Sequence, residues 1–107
     1  MLQFNENDRL QARWAEARTA GALRRAALPS HRMASTHGFV DACLAGIGWA
    51  MNPEALVTGH IAAGRLVDLD PGLPLDVALH WQFARLTAPA LGPLTRAIKA
   101  AAGVGLV

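Results

Sequence analysis

The hydrophobic pattern changes period several times along this chain. Phe39, Val40, Cys43, Leu44 and Ile47 recur at three- and four-residue spacing, which places them on one helical face. Ser35 and Thr36 precede them and are N-cap residue types, each with an oxygen able to accept a first-turn N–H. Gly46 and Gly48 follow and supply the backbone freedom that ends a helix. His31-Arg32-Met33-Ala34 reads as a strand entering this helix, and Trp49-Ala50-Met51 as a short buried strand after it. Asn52-Pro53-Glu54 opens the next helix: a cap, a proline in the first turn, an acid near the positive end of the dipole. That helix is predicted over 54–63, with Leu56, Val57, His60 and Ile61 on one face and Gly64 just past its end.

The flanking segments follow the same grammar. Leu2-Gln3-Phe4 is a short strand candidate, and Asn5-Glu6-Asn7-Asp8 is turn chemistry with Asn7 or Asp8 as cap. A helix is predicted over 9–20, with Leu10, Trp14 and Ala17 along one side and Gly21 as its stop. Residues 22–30 contain Arg24-Arg25 and Leu28-Pro29 and read as a surface connection, because proline biases its predecessor toward extended geometry. Residues 65–69 read as a strand. Asp70-Pro71-Gly72-Leu73-Pro74 is a linker, since two prolines and a glycine continue neither regular element. From 76 to 84 the period becomes two: Val77, Leu79, Trp81 and Phe83 on one face, Ala78, His80, Gln82 and Ala84 on the other. Thr87 is expected to cap a last helix over about 88–101 carrying Leu91, Leu94, Ile98 and Ala101, with Pro93 delaying its start. Strands alternating with helices predict an α/β fold with a parallel-type sheet flanked by helices. The linker separates a three-strand unit from a lone strand and helix, which must belong to a second subdomain.

Composition sharpens this picture without changing it. The 107 residues suffice for one small domain or a piece of a larger one. At 52% hydrophobic and 17% charged, the chain is expected to bury a core rather than remain disordered. The net charge of +2 comes from scattered arginines; Arg24-Arg25 lacks interleaved aromatics and reads as a solvated face, not a nucleic-acid groove. Cys43 is the only cysteine, so there is no disulfide framework. No apolar run has the length of a membrane span, and the first residues lack a signal peptide's regions, so a cytoplasmic protein without membrane contact is expected.

Candidate chemistry is sparse. A strand feeding a helix at the Ser35-Thr36 turn leaves N–H groups aimed at one spot, which suits a carboxylate or other anion. The same residues are explained by capping alone. His31, His37, His60 and His80 do not pair with Cys43 at zinc-ligand spacing, so no metal or other cofactor is expected. His37 beside Ser35 lacks an orienting acid and a nucleophile elbow, so no enzyme is expected and no residue is assigned as catalytic.

Ser35-Thr36-His37-Gly38-Phe39-Val40-Asp41-Ala42-Cys43-Leu44-Ala45-Gly46-Ile47-Gly48-Trp49-Ala50-Met51-Asn52-Pro53-Glu54, with Ala63-Gly64-Arg65-Leu66-Val67 and Pro74-Leu75-Asp76-Val77-Ala78-Leu79-His80-Trp81-Gln82, resembles the C-terminal effector domain of LysR-type transcriptional regulators. The Gly-Trp-Ala-Met-Asn-Pro and Leu-Asp-Val…Trp-Gln segments are most similar to the arginine- and lysine-responsive ArgP branch, also described as inhibitors of chromosome initiation. The resemblance spans essentially the whole chain. It implies part of a type 2 periplasmic-binding-protein-like fold: residues 1–70 as most of effector subdomain II, 71–75 as hinge, and 76–107 as the returning strand and C-terminal helix of subdomain I. The family's N-terminal winged helix-turn-helix, its linker helix and most of subdomain I have no counterpart here. Ala50 stands where the branch usually has glycine, which matters only if that backbone needs positive φ.

The resemblance implies a small-molecule effector, a basic amino acid, and DNA contact only through a domain outside this chain. Ser35, Thr36 and His37 match the place where a subdomain II helix N-terminus faces the effector. Met51 and Asn52 end a strand on the side of the sheet where ligands collect in open α/β folds. These five are the candidate effector-binding residues. Trp49 and Trp81 read as core or interface aromatics, and Asp41 as a surface charge. A homo-oligomer is expected, because 76–84 leaves an unpaired edge. Two alternatives stand beside this reading: a truncated remnant that folds or self-associates without sensing, and a small α/β enzyme.

Overall fold

A computed structural model describes residues 1–23 and 28–106. The chain divides into two compact units, Met1–Leu75 and Asp76–Val107. The Arg24-Arg25 surface connection lies outside the described residues.

In the first unit, β1 (Leu2–Gln3) leads through α1 (Leu10–Arg18) to β2 (His31–Arg32), then α2 (Thr36–Leu44) and α3 (Glu54–Ala62). β1 and β2 pair in parallel, Leu2 opposite His31 and Gln3 opposite Arg32. The ladder runs through His31 N–H to the Met1 carbonyl (2.9 Å) and Met33 N–H to the Gln3 carbonyl (2.8 Å). Both strands are shorter than the sequence predicts. On the other side of β1, the Leu2 N–H donates to the Trp49 carbonyl at 2.9 Å. The predicted strand at Trp49-Ala50-Met51 is reduced to that one rung. Leu2 is therefore fully buried and centres the core with Phe39 and Ala42; Met33, Cys43 and Ala50 pack on this cluster. Ala50 is not among the positive-φ residues, so a glycine is not required there.

All three helices of this unit close in the same way. In α2 the Gly46 N–H reaches the Cys43 carbonyl and the Ile47 N–H the Ala42 carbonyl, both at 3.0 Å, with Gly46 at φ +73°. In α3, Gly64 (φ +69°) and Arg65 bond Ile61 and His60 in the same register. This is the Schellman closure, which needs a left-handed residue just past the helix. In α1 that position falls to Ala20, at φ +49°, one residue before the predicted stop Gly21 at φ +81°. The Gly21 N–H then takes the Glu16 carbonyl at 2.7 Å.

Two predicted faces are corrected. In α1 the buried residues are Gln11, Ala12 and Ala15, while Leu10 and Trp14 are half-buried and Ala17 is exposed. At about 100° per residue these two sets lie on nearly opposite sides. Hydropathy favoured Leu10 and Trp14, whereas the buried side carries two alanines and the polar Gln11. Trp14 instead turns to Trp49, ring centroids 5.4 Å apart, and donates its indole N–H to the Leu73 carbonyl at 2.9 Å. In α2, Phe39, Val40 and Ala42 are buried and Cys43 half-buried, but Leu44 sits on the rim and Ile47 is 51% exposed. Ile47 follows the Schellman turn, so helical phase no longer carries it to the core.

Residues 63–84 form no helix or strand. The predicted strand at 65–69 is replaced by turns: the Asp68 side chain accepts the Asp70 N–H, and the Asp70 side chain accepts the Gly72 N–H. Val67 and Leu69 are exposed. The alternating segment 76–84 lies in no sheet among the described residues, since no neighbouring strand is there to complete a ladder.

The second unit carries a short 3-10 turn (Arg85–Thr87) and α4 (Gly92–Gly105). Pro93 falls in the first turn of α4 and delays its start past the predicted 88, so Leu91, not Thr87, occupies the N-cap position. Its half-buried stripe is Leu91, Thr95, Ile98 and Ala102, with Leu94 and Ala101 exposed. The Trp81 indole N–H donates to Thr95 Oγ1 at 3.1 Å. No helix of the described residues is long and apolar enough to cross a membrane.

Candidate functional site

The candidate site grows from the start of α2. Ser35 is its N-cap, extended at φ −155° and ψ 125°, and its Oγ accepts the Gly38 N–H at 3.0 Å. The Ser35 carbonyl accepts the first helical N–H, from Phe39, at 3.0 Å. That leaves the Thr36 and His37 N–H groups without an acceptor inside the helix. Ser35, Thr36 and His37 are all exposed.

Electrostatics distinguish this helix start from its neighbours. At α1, Asp8 Oδ1 accepts the Leu10 N–H at 3.0 Å and Oδ2 the Phe4 N–H at 2.9 Å. At α3 the first turn carries Glu54. The first turn of α2 has no acid and relies on a neutral hydroxyl. Among the described residues of Met1–Leu75, it is thus the helix start with neither an acid in its first turn, as in α3, nor a carboxylate accepting one of its first N–H groups, as Asp8 does for α1.

Sequence reasoning missed what holds this cap. Met33, just after β2, lays its thioether against Gly38. A Cβ at Gly38 would stand 2.8 Å from Met33 Sδ and 3.1 Å from Ser35 Cβ. The available signal was a glycine in the first turn of a helix, where it costs about 1 kcal/mol relative to alanine unless closeness demands it.

Met51 and Asn52 are half-buried. Asn52 does not cap α3; Pro53 holds that position, at φ −57° and ψ 131°. The Asn52 amide turns to α2 instead, its Nδ2 donating to Cys43 Sγ at 3.8 Å and to the Ala50 carbonyl at 3.5 Å. Its Oδ1 is buried with no hydrogen-bond partner. Cys43 lies eight residues beyond Ser35, about 12 Å along the helix at 1.5 Å per residue. Asn52 is thus fixed toward the far end of α2 from the Ser35 cap. Chemically, the arrangement offers N–H and hydroxyl donors at one point and a buried carbonyl acceptor at another. Ser35 Oγ is occupied as an acceptor in the cap, which is not the setting of a nucleophile.

Comparison with known proteins identifies the family. Residues 1–103 match the family described as the LysR substrate binding domain. The chain is 43% identical over 77 residues to the HTH-type transcriptional regulator ArgP of Pseudomonas aeruginosa strain UCBPP-PA14, covering 72% of this chain and 26% of that protein. It is 40% identical over 106 residues to the lysine export transcriptional regulatory protein LysG of Corynebacterium efficiens, covering 99% and 36%. Among solved structures it is similar to the C-terminal domains of a LysR family protein from Agrobacterium tumefaciens, with 49% identity, a TM-score of 0.90, and coverage of 99% of this chain and 50% of that one. The chain thus spans about a quarter to a third of the curated relatives it matches. It belongs to the LysR substrate-binding-domain family, whose periplasmic-binding-protein-like fold serves as the ligand-binding part of LysR-type transcriptional regulators, which are not enzymes.

Proposed function

We propose that this chain senses a basic amino acid, with the ligand's carboxylate on the N-terminus of α2. The observation that carries this is the pair of unoccupied N–H groups at Thr36 and His37, on an exposed helix start whose cap and first turn contain no acid. Thr36 and His37 are the first two residues of the helix and both are exposed. Met51 and Asn52 belong in this reading to a more distant part of the effector site, toward the far end of α2, where Asn52 Oδ1 is enclosed. The relatives named for arginine and lysine support a basic amino acid as the effector class.

In this reading residues 1–70 form most of subdomain II, 71–75 the hinge, and 76–107 part of subdomain I. In the intact regulator the ligand favours one relative pose of the subdomains. It thereby biases DNA-binding domains outside this chain, through a difference in affinity between two states. The chain acts as a homo-oligomer.

Isothermal titration calorimetry tests the effector. L-Lysine and L-arginine are expected to bind more tightly than millimolar. Cadaverine and agmatine, which keep the cationic end but lack the carboxylate, are expected to give no saturable heat. Absence of binding by both amino acids would establish the alternative of a folded domain that does not sense them.

A further inference from the structure

The end of the first unit is tied down. Asp70-Pro71-Gly72-Leu73 closes as a reverse turn: the Leu73 N–H donates to the Asp70 carbonyl at 3.0 Å, and the Gly72 N–H to Asp70 Oδ1 at 3.2 Å. Asp and Pro suit the first two positions of such a turn, since the carboxylate accepts an N–H two residues on and the ring presets φ. The turn is then fastened to α1. The Trp14 indole N–H donates to the Leu73 carbonyl at 2.9 Å, and Asp70 Oδ2 meets Arg18 Nε at 2.6 Å. Trp14 and Arg18 stand one helical turn apart, so they hold the stretch from one side of α1. The two ties are unequal. Arg18 is exposed and its ion pair is weakened by solvent, whereas Trp14 and Leu73 are half-buried. The Trp14 ring is also backed by Trp49, centroids 5.4 Å apart, and an indole has few torsions to fix. Trp49 leads directly into Ala50, Met51 and Asn52.

We infer that Trp14 is a positioning residue of the hinge: it makes 70–73 part of the first unit, so that the bend toward the second begins only after Leu73. The inference rests on the reading of 71–75 as the hinge and narrows it. The two units divide at Leu75, beyond the clamped turn. One ring holds both the root of the hinge and the segment leading to Met51 and Asn52, so these candidate residues and the hinge root move as one body. Without the clamp the pivot would gain residues 70–73. The pose that a ligand selects would then be spread over more free backbone torsions.

Residual dipolar couplings and 15N relaxation of the full chain test this. The N–H couplings of Asp70, Gly72 and Leu73 are expected to fit the alignment tensor of the first unit, with order parameters near the roughly 0.85 of rigid backbone. Trp14→Phe keeps a ring toward Trp49 and removes the donor. It should shrink those couplings and drop the order parameters below about 0.6, while His31 and Met33, on the β1–β2 ladder, keep theirs. A merely structural role would lower global stability and leave these native-state values unchanged. Arg18→Gln should leave all of them in place. Slow solvent exchange of the Trp14 indole proton reads the clamp without any substitution, and free exchange of that proton would overturn it. One alignment tensor fitting both units would overturn the hinge reading and with it this inference. Two tensors, with Asp70, Gly72 and Leu73 averaged in the unaltered chain or held as firmly in Trp14→Phe, would overturn the clamp and leave the hinge at 71–75.

Discussion

The thioether of Met33 fills the space that a side chain at Gly38 would need. A Cβ there would meet Met33 Sδ at 2.8 Å and Ser35 Cβ at 3.1 Å, so the residue leaving β2 and the cap of α2 are packed through a glycine. Gly38→Ala gains about 1 kcal/mol of helix propensity but must displace both neighbours, an overpacking cost of roughly 1–3 kcal/mol. The expected net effect is a loss of about 1 kcal/mol in urea unfolding. Combined with Met33→Ala it should cost less than the sum of the two, because the contacts are shared.

Ser35 has two separable roles. Ser35→Ala removes the acceptor of the Gly38 N–H and should cost about 1 kcal/mol of stability without any ligand, whereas Ser35→Gly should cost only a few tenths. Urea midpoints of the free protein measure the cap; calorimetry with lysine then measures what each change adds at the ligand.

Ala20 carries the left-handed turn that glycine carries in α2 and α3. Ala20→Gly should raise stability by about 1 kcal/mol, since the alanine pays the Cβ clash at φ +49°. Gly46→Ala should lower it by a similar amount, with open space around the new methyl, so that only backbone strain is read. Thermal unfolding of both variants checks the opposite signs.

Gln11 is 1% exposed and its Oε1 has no hydrogen-bond partner. A buried acceptor left unmade costs about 1–3 kcal/mol. Gln11→Met keeps the length and removes the acceptor, and it should stabilise the protein by about 1 kcal/mol in chemical denaturation.

The stretch 70–74 is held to α1 at two points, the Trp14 indole on the Leu73 carbonyl and Arg18 Nε against Asp70 Oδ2 at 2.6 Å. Their weights differ. The Arg18 and Asp70 side chains are 55% and 28% exposed, so a double-mutant cycle should give a coupling of less than about 1 kcal/mol, falling with salt. Trp14→Phe deletes the partly buried N–H donor and loosens the ring pair with Trp49. It should cost about 1–2 kcal/mol and speed amide exchange in α1.

What could be read from the residues alone follows the range of the forces involved. The Ser35 cap and the Gly46 and Gly64 stops were legible because a cap and a left-handed turn depend on a few adjacent residues. At α1 the reading was one residue off: Asp8 does accept the Leu10 N–H, but Arg9, not Asn7 or Asp8, holds the N-cap position. The buried face of α1 was not, because hydropathy scores Leu10 and Trp14 above Gln11 and Ala12 while packing buried the side with Gln11 and the alanines. Ala20 was missed because its neighbour Gly21 offered the same conformation more cheaply. The strand at 76–84 was misread because alternation states what a segment would do with a partner, not whether one is present, and that at 65–69 because the turns formed by the Asp68 and Asp70 side chains take its place. At the site, the donor set of Ser35, Thr36 and His37 was visible as a cap. The turn of Asn52 toward Cys43 is a tertiary contact that no local pattern announces.

The most direct test of the proposed sensing site is an amide-resolved NMR titration of the chain with L-lysine. The account predicts saturating shifts of the Thr36 and His37 backbone amides, with smaller changes along α2, and no such shifts with cadaverine. Saturable lysine binding that leaves the Thr36 and His37 amides unmoved would contradict it.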